Sequence, residues 1–527
     1  MIYLQHPKNR RRRVLFSPYY CKRGVLLMKP VVIPHEVYQT FVTEELQTHY
    51  AHGALTLVRK DWPLILKLWE TDLSAVTRKL AYLYSHRGPQ PRDPASMMRA
   101  YLVYLLTHPS MSITEWVDLL HRVPLYAILS GFPPDDVPGV GTFYDFFARL
   151  WGPSAKNQKP RKQHRKKKAK KGKKKGEKAP TATPGRVQRL VRWVMRQFHR
   201  QKALPSDQLF HLFQESFLTV SANLGLLGDG HRLSIAGDGM PVQTAAYPRS
   251  KAACDCRAQG LTNCNHPRLY AQPDCDTGWD SARERYFNGY QLYTLTAADS
   301  PYDLPLYPRL HPASRHDAIS FVLGMVEFSQ RSTLGTVEKW ILDAAHDAGA
   351  IYDLILQQNA KPFIDLNDRS TKNSETGGDI RLSPQGIPIC PANLEMKHNG
   401  FDHAQKRHKW RCPLMKNRTT CICDKPCSDA KYGRTFHTQS RDNPRLFPEV
   451  PRGSDAWKLV YKRRTTVERS NKRAKIDYHL EAGRHRSTMM WMIRIYGIMM
   501  CQHMDAWYRH REDELKTLMP QILPQAG

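Results

Sequence analysis

Between residues 29 and 150 apolar side chains recur at helical spacing, most clearly in Met97–Leu106 and Ile113–Leu129. The stretch closes in GFPPDDVPGVGTFYDFFARLW (131–151), where Pro and Gly turns precede an aromatic helix. A small α-helical domain over residues 29–155 is expected. Residues 185–225 are again helical in pattern, and from residue 232 the period shortens. RLSIAGDGM (232–240), YFNGYQLYTLTAA (286–298) and LPLYPRLHPA (304–313) read as three strands, followed by the helix HDAISFVLGMVEFSQ (316–330). KWILDAAHD (339–347) and KPFIDL (361–366) read as two more strands on either side of a helix over 348–358. Three consecutive strands and then alternating helix and strand is the order of an α/β, ribonuclease-H-like core: a mixed five-stranded sheet flanked by helices. Met489–Trp507 reads as a Met-rich core helix.

Between these blocks the pattern fails. Residues 156–178 hold 14 Lys or Arg and one acid, Glu177, a composition that buries no core and predicts a disordered linker over about 156–184. Residues 1–28 form a basic extension of weak globular pattern, which makes Met28 a candidate for the true start residue. Two Cys-containing insertions are expected, at about 245–285 and at about 370–455, the second irregular. The ribonuclease-H-like core then spans 185–510, with a tail over 511–527.

Charge adds a partner to this picture. The 527 residues carry 80 Lys+Arg against 48 Asp+Glu, a net charge of +32, which calls for a polyanion, with nucleic acid leading. No stretch reaches about 18 uninterrupted apolar residues, so no membrane span is expected. The run Arg10–Arg13 has no signal segment behind it, and an intracellular, cytoplasmic location is expected. Eleven cysteines, an odd number, argue against a disulfide framework.

The most basic folded segment, YKRRTTVERSNKRAK (461–475), keeps a single carboxylate, Glu468. At about 100° per residue, Tyr461, Arg464, Glu468 and Lys475 fall within an arc of roughly 60° on one helix face. The plain alternative is a solvated helix with i,i+4 pairs from Glu468 to Arg464 and Lys472. Asp238 and Asp343 close two strands expected to be neighbours, where an open α/β sheet places its sites. Asp347 competes with Asp343, and Glu481 falls on the far side of the helix from Glu468. Asp238 as a turn residue and Asp343 as a helix cap are the plain readings. Three oxygen donors at one sheet end suit two hard cations and in-line phosphoryl displacement.

The spacing Tyr461-x2-Arg464-x3-Glu468-x6-Lys475 resembles the Y-R-E-K signature of DDE transposases from bacterial insertion sequences. IAGDG around Asp238 and ILDAAHD around Asp343 are similar to the strands that carry that family's two aspartates. FNGYQLY (287–293), residues 131–150 and residues 444–486 extend the likeness over most of 85–510. The resemblance implies a nucleoid-associated enzyme that hydrolyses and transesterifies DNA phosphodiesters at the ends of its own element. It implies Asp238, Asp343 and Glu468 as ligands of two Mg²⁺ (or Mn²⁺) ions. Tyr461, Arg464 and Lys475 would grip transposon-end DNA, and a homodimer would assemble on double-stranded DNA. Arg463, Arg469, Lys472 and Arg473, on other faces, either contact flanking DNA or are solvated. The second insertion falls where cut-and-paste relatives place a β-stranded element that assists a hairpin step. Two other readings stand beside it: a decayed or domesticated protein that binds DNA without cutting, and a nuclease on the same fold.

The cysteines fall in two groups. Cys254, Cys256, Cys264, His266 and Cys275 lie in the first insertion; Cys390, Cys412, Cys421, Cys423 and Cys427 lie in the second, with His398 and His437 nearby. Each group has enough soft ligands for a structural Zn²⁺ that would fold a loop-rich insertion. Reduced cysteines in loops are the plain alternative.

Overall fold

The computed structural model describes residues 29–86, 90–152, 184–198, 200–245, 272, 275–367, 374–375, 380–414, 427–430 and 432–524. The segment 232–243 is apolar enough to be buried on both faces, and it forms the central strand β1 (Arg232–Gln243). Around it lie β2 (Asp276–Asp280), β3 (Arg285–Ala297), β4 (Pro305–Pro312), β5 (Thr336–Leu342) and β6 (Lys361–Ile364). The order is β2-β3-β1-β5-β6, with β4 also on β3. β1 pairs antiparallel with β3 and parallel with β5, and β5 pairs parallel with β6. The sheet therefore has six strands, one more than the sequence pattern predicts. The extra strand, β2, is the end of the first insertion; β3 is long enough to carry β2 along 285–289 and β4 along 290–296.

Helices cover both faces. On one, Ala236 of β1 and Ile341 of β5 pack with Trp457 and Val467, from helices α13 (Asp455–Tyr461) and α14 (Thr465–Ile476). On the other, helix α11 (Asp317–Arg331) lies against β1 and β3. Alternation along a strand makes this unavoidable, since Ala236 and Gly239 point to opposite faces. Helix α12 (Gly349–Gln357) connects β5 to β6.

The N-terminal segment folds as α1 (His35–Ala51), α2 (Trp62–Glu70), α3 (Ser74–Leu80), α4 (Pro94–Thr107), α5 (Ile113–Arg122), α6 (Pro124–Ser130) and α7 (Val140–Trp151). After residue 183 come α8 (Arg186–Gln197), α9 (Asp207–Phe213), a π-helical turn and α10 (Thr219–Asn223). The Met-rich segment is α15 (Thr488–His510), buried from Met490 to Met504, and it packs on α2, α4, α7 and α9. Its Arg494 is fully buried and donates to Tyr104 and to the carbonyls of Pro109, Tyr478, His479 and Leu480. One continuous apolar core thus runs from Tyr38 through the sheet to Leu523. Among the described residues no helix is long and apolar enough to cross a membrane.

Two sequence expectations change here. The basic segment 461–475 is not one helix: Lys462–Arg464 form a 3₁₀ turn between α13 and α14. A 3₁₀ step is about 120°, so three such residues rotate Tyr461 by about 60° relative to an unbroken α-helix. The second insertion is β-structured, not irregular. Its short strands β7 (Ser374–Glu375), β8 (Arg381–Leu382) and β9 (Pro388–Ile389) form one sheet. A second sheet comprises β10 (Lys397–Asp402), β11 (Arg407–Arg411) and β12 (Thr435–Gln439). In β11 the buried positions are His408 and Trp410, while Arg407, Lys409 and Arg411 face outward. Alternation is present, but it is written in His and Trp against Arg and Lys, which hides the strand from an apolar-periodicity reading.

Candidate active site

The β1–β5 register sets the site. Ala236 lies opposite Ile341 and Gly237 opposite Leu342, so the next pair outward is Asp238 and Asp343, on the face covered by α13 and α14. Asp238 does not end its strand as expected. β1 continues to Gln243 along β3, and Asp238 marks the point where it parts from β5. Asp343 follows β5 directly and caps the 3₁₀ turn Ala344–His346, accepting from the Ala345 amide at 3.2 Å.

The environment separates the two carboxyls. Burial, then the charges of Asp343 and Asp317, push Asp238 up to about 7. Burial acts on Asp343 in the same direction but is outweighed by the hydrogen bond and charge of His346, the Ala345 amide and Arg464, which leave it below the usual range. His346 is fully buried. Its Nδ1 lies 2.5 Å from Asp343 Oδ1 and its Nε2 lies 2.8 Å from the Tyr293 hydroxyl. Burial and three nearby carboxylates raise the Tyr293 pKa well above its ordinary value, so this phenol is a proton donor. The chain therefore reads Tyr293 O–H to Nε2 and Nδ1–H to Asp343, which fixes the carboxylate's orientation.

A third acid at this end of the sheet is one that sequence reasoning missed. Asp317 opens α11 and accepts from Gln291 Nε2 at 3.0 Å. It enters over Gly239, where a Cβ would lie 2.1 Å from its Oδ1. Burial raises its pKa against the opposing effects of Gln291 and His346. The sequence signal was an acid in a helix's first turn paired with a glycine beside Asp238.

Glu468 lies in the first turn of α14 beside Val467, which packs on the same face as Ala236 and Ile341. Its carboxylate is half exposed and bound by Arg464 at 2.7 Å. Arg464 bears electrostatically on Asp238, Asp343 and Glu468. Among the described residues no three His, Cys, Asp or Glu side chains form a group that would hold a metal ion. Asp347, the competitor of Asp343, has its carboxylate buried and doubly bound by Arg445 at 2.8 and 2.6 Å.

The expected DNA-binding residues divide. Tyr461 stacks on Trp457 with ring centroids 4.3 Å apart. Lys475 does not point to Glu468; it lies two turns on, 3.4 Å from Glu481, which also binds Arg283 and the Gln243 amide. Glu481 sits on a separate 3₁₀ turn, Leu480–Ala482, beyond the end of α14. Arg463 pairs with Asp299, and Lys472 is exposed. Of the cysteines, Cys254, Cys256, Cys264, His266, Cys421 and Cys423 lie outside the described residues. Cys275 is buried in the main core, Cys390 packs with Ile380, Met396 and Trp410, Cys412 is buried and Cys427 is exposed.

Compared with protein-family models, with curated proteins and with solved structures, the chain finds no match.

Proposed function

We propose that the chain is a DNA transposase of the DDE type, built on a ribonuclease-H-like core, that cleaves and joins strands at the ends of its own element. The observation that carries the reading is the placement of Asp238, where β1 parts from β5, beside Asp343 at the end of β5, under the helix unit that bears Arg464 and Glu468. The donor set is all oxygen, and the rise of Asp238 to about 7 marks a place where added positive charge is favourable. Bound Mg²⁺ or Mn²⁺ would supply Lewis-acid activation of the attacking and leaving oxygens.

The chain's own residues supply the rest. His346, held by Tyr293, fixes the Asp343 carboxylate. Arg464 balances the carboxylates and offers a planar fork to a phosphate. Tyr461, braced by Trp457, presents its hydroxyl beside Arg464. Glu468 joins the aspartates by releasing Arg464, a rotation of one exposed side chain. Double-stranded DNA and a homodimer assembled on it belong to this reading.

A second reading has its own observation. Glu468 is turned to Arg464 instead of joining a metal-holding group, as suits a protein that binds DNA without cutting it. Incubating the protein with DNA bearing the element's ends, in Mg²⁺ or EDTA, beside Glu468→Gln, separates the two. Metal-dependent nicking and joining that the variant loses while still binding supports the transposase. Binding without cleavage in the wild-type protein sinks it.

A further inference from the structure

Helix α8, RVQRLVRWVMRQ, contains no acid. Its apolar side is committed: Val191 and Val194 are buried, and the helix packs on α11 and α12. The opposite side exposes Arg186, Arg189, Arg192 and Arg196 together with Trp193, whose ring is 49% accessible. At about 100° per residue these five fall within roughly 120° of arc. None of the four arginines has an ion-pair partner among the described residues. That contrasts with the basic segment at 462–475, where Arg463, Arg469 and Arg473 pair with Asp299, Asp303 and Asp505. Like charges three and four residues apart weaken a helix, so this face is costly unless something anionic meets it.

We infer that the exposed arginine face of α8 is a docking surface for the phosphate backbone of duplex DNA. From Arg186 to Arg196 the helix rises about 15 Å, the length of roughly four base-pair steps. Four guanidinium forks along that rise match successive phosphates, and Trp193 packs against the sugar edge. The Lys-rich run 156–178 precedes the helix in sequence. A membrane surface is the weaker occupant, because a helix that lies on lipid inserts its apolar face, and here that face is buried in the protein. Backbone docking uses no carboxylate of the candidate active site, so the inference stands apart from the cleavage chemistry.

The test uses the full chain in EDTA with a random-sequence duplex. Binding is followed by fluorescence anisotropy across a salt series, for wild type and for a variant combining Arg186→Gln, Arg189→Gln, Arg192→Gln and Arg196→Gln. Each phosphate contact contributes about 0.9 to the slope of log K against log salt, so the expected loss is about 3.6. A loss under about 2 overturns the inference. So does a variant that keeps the DNA slope but no longer binds vesicles of phosphatidylserine and phosphatidylcholine. Should circular dichroism show that the fourfold variant is unfolded, the four single substitutions are read instead. They are expected to remove about 0.9 each, and their sum is held to the same limit. Absence of Mg²⁺-dependent cleavage by the wild-type protein, with the slope loss still about 3.6, counts against the transposase and not against this surface.

Discussion

Replacing Asp238 by Asn should stabilise the metal-free protein, and by an amount that depends on pH. An unfolded aspartate titrates near 3.8, whereas in the fold Asp238 is pushed to about 7 by burial and by Asp343 and Asp317. Below pH 3.8 the carboxyl is neutral in both states. Between 3.8 and about 7 it ionises only in the unfolded chain, so stability falls as pH rises, and above about 7 the loss is complete. A shift of about 3 units at 1.36 kcal/mol each sets a ceiling of about 4 kcal/mol. Residual exposure of Asp238 brings this to about 2 kcal/mol. Asparagine cannot ionise and escapes the loss. Urea unfolding in EDTA, followed by tryptophan fluorescence, should show Asp238→Asn and wild type alike at pH 4 and the variant ahead by about 2 kcal/mol at pH 8. Magnesium should narrow that gap by stabilising only the wild type. A variant no more stable than wild type at pH 8, or equally favoured at both pH values, would refute the burial of Asp238 beside other carboxylates on which the site rests.

Other outcomes follow from packing. Gly239→Ala drives a Cβ into the Asp317 carboxylate and should cost about 1–3 kcal/mol; adding Asp317→Ala should recover most of it, and a double-mutant cycle in urea without coupling would show that the two do not meet. Arg445→Met removes the cation bound to the buried Asp347, which keeps only the Asn367 amide and the Tyr352 hydroxyl, and should cost about 3 kcal/mol while raising proteolytic cleavage within the second insertion. Arg494→Met strands four carbonyls, that of Pro109 among the N-terminal helices and those of Tyr478, His479 and Leu480 in the turn after α14. A loss of about 3 kcal/mol or more is expected by thermal and urea unfolding, with the helices before Trp151 exchanging amide hydrogens faster.

What the sequence revealed follows the strength of its periodicity. β1, β3, β4, β5 and β6 were legible because apolar alternation and Gly or Pro punctuation agree, and the two aspartates followed from where β1 and β5 pair. β2 was hidden because DTGWD has no apolar repeat and owes its pairing to the neighbouring length of β3. The sheet of β10, β11 and β12 was hidden because its inward residues include His408 and Thr438, which are hydrogen-bonded rather than apolar. Asp317 was missed because its role is spatial: only the absence of a side chain at Gly239 admits it. The phase of Tyr461 was misjudged because the 3₁₀ turn at Lys462–Arg464 is a tertiary outcome, with Arg463 drawn to Asp299 and Tyr461 stacked on Trp457.

The lone carboxylate in YKRRTTVERSNKRAK also takes on a different meaning in three dimensions. In sequence the segment is a block of cations around Glu468. In the fold, Arg463, Arg464, Arg469, Arg473 and Lys475 each face an acid, namely Asp299, Glu468, Asp303, Asp505 and Glu481. Most of the segment's charge is paired within the fold, to the β3–β4 turn, to α15, to the 3₁₀ turn after α14 and to the segment's own Glu468. Only Arg464 among these is shared with the paired aspartates, so Glu468 and the Asp238–Asp343 pair compete for one guanidinium. Anything cationic that enters between the aspartates weakens their hold on Arg464, and a phosphate that draws Arg464 away frees Glu468. On the proposed reading, binding of DNA and completion of the carboxylate set would be coupled through this single side chain. Arg464→Lys, which keeps the charge and loses the fork, should therefore weaken DNA binding modestly but reduce metal-dependent cleavage by a larger factor. Equal losses in both would break the coupling argument.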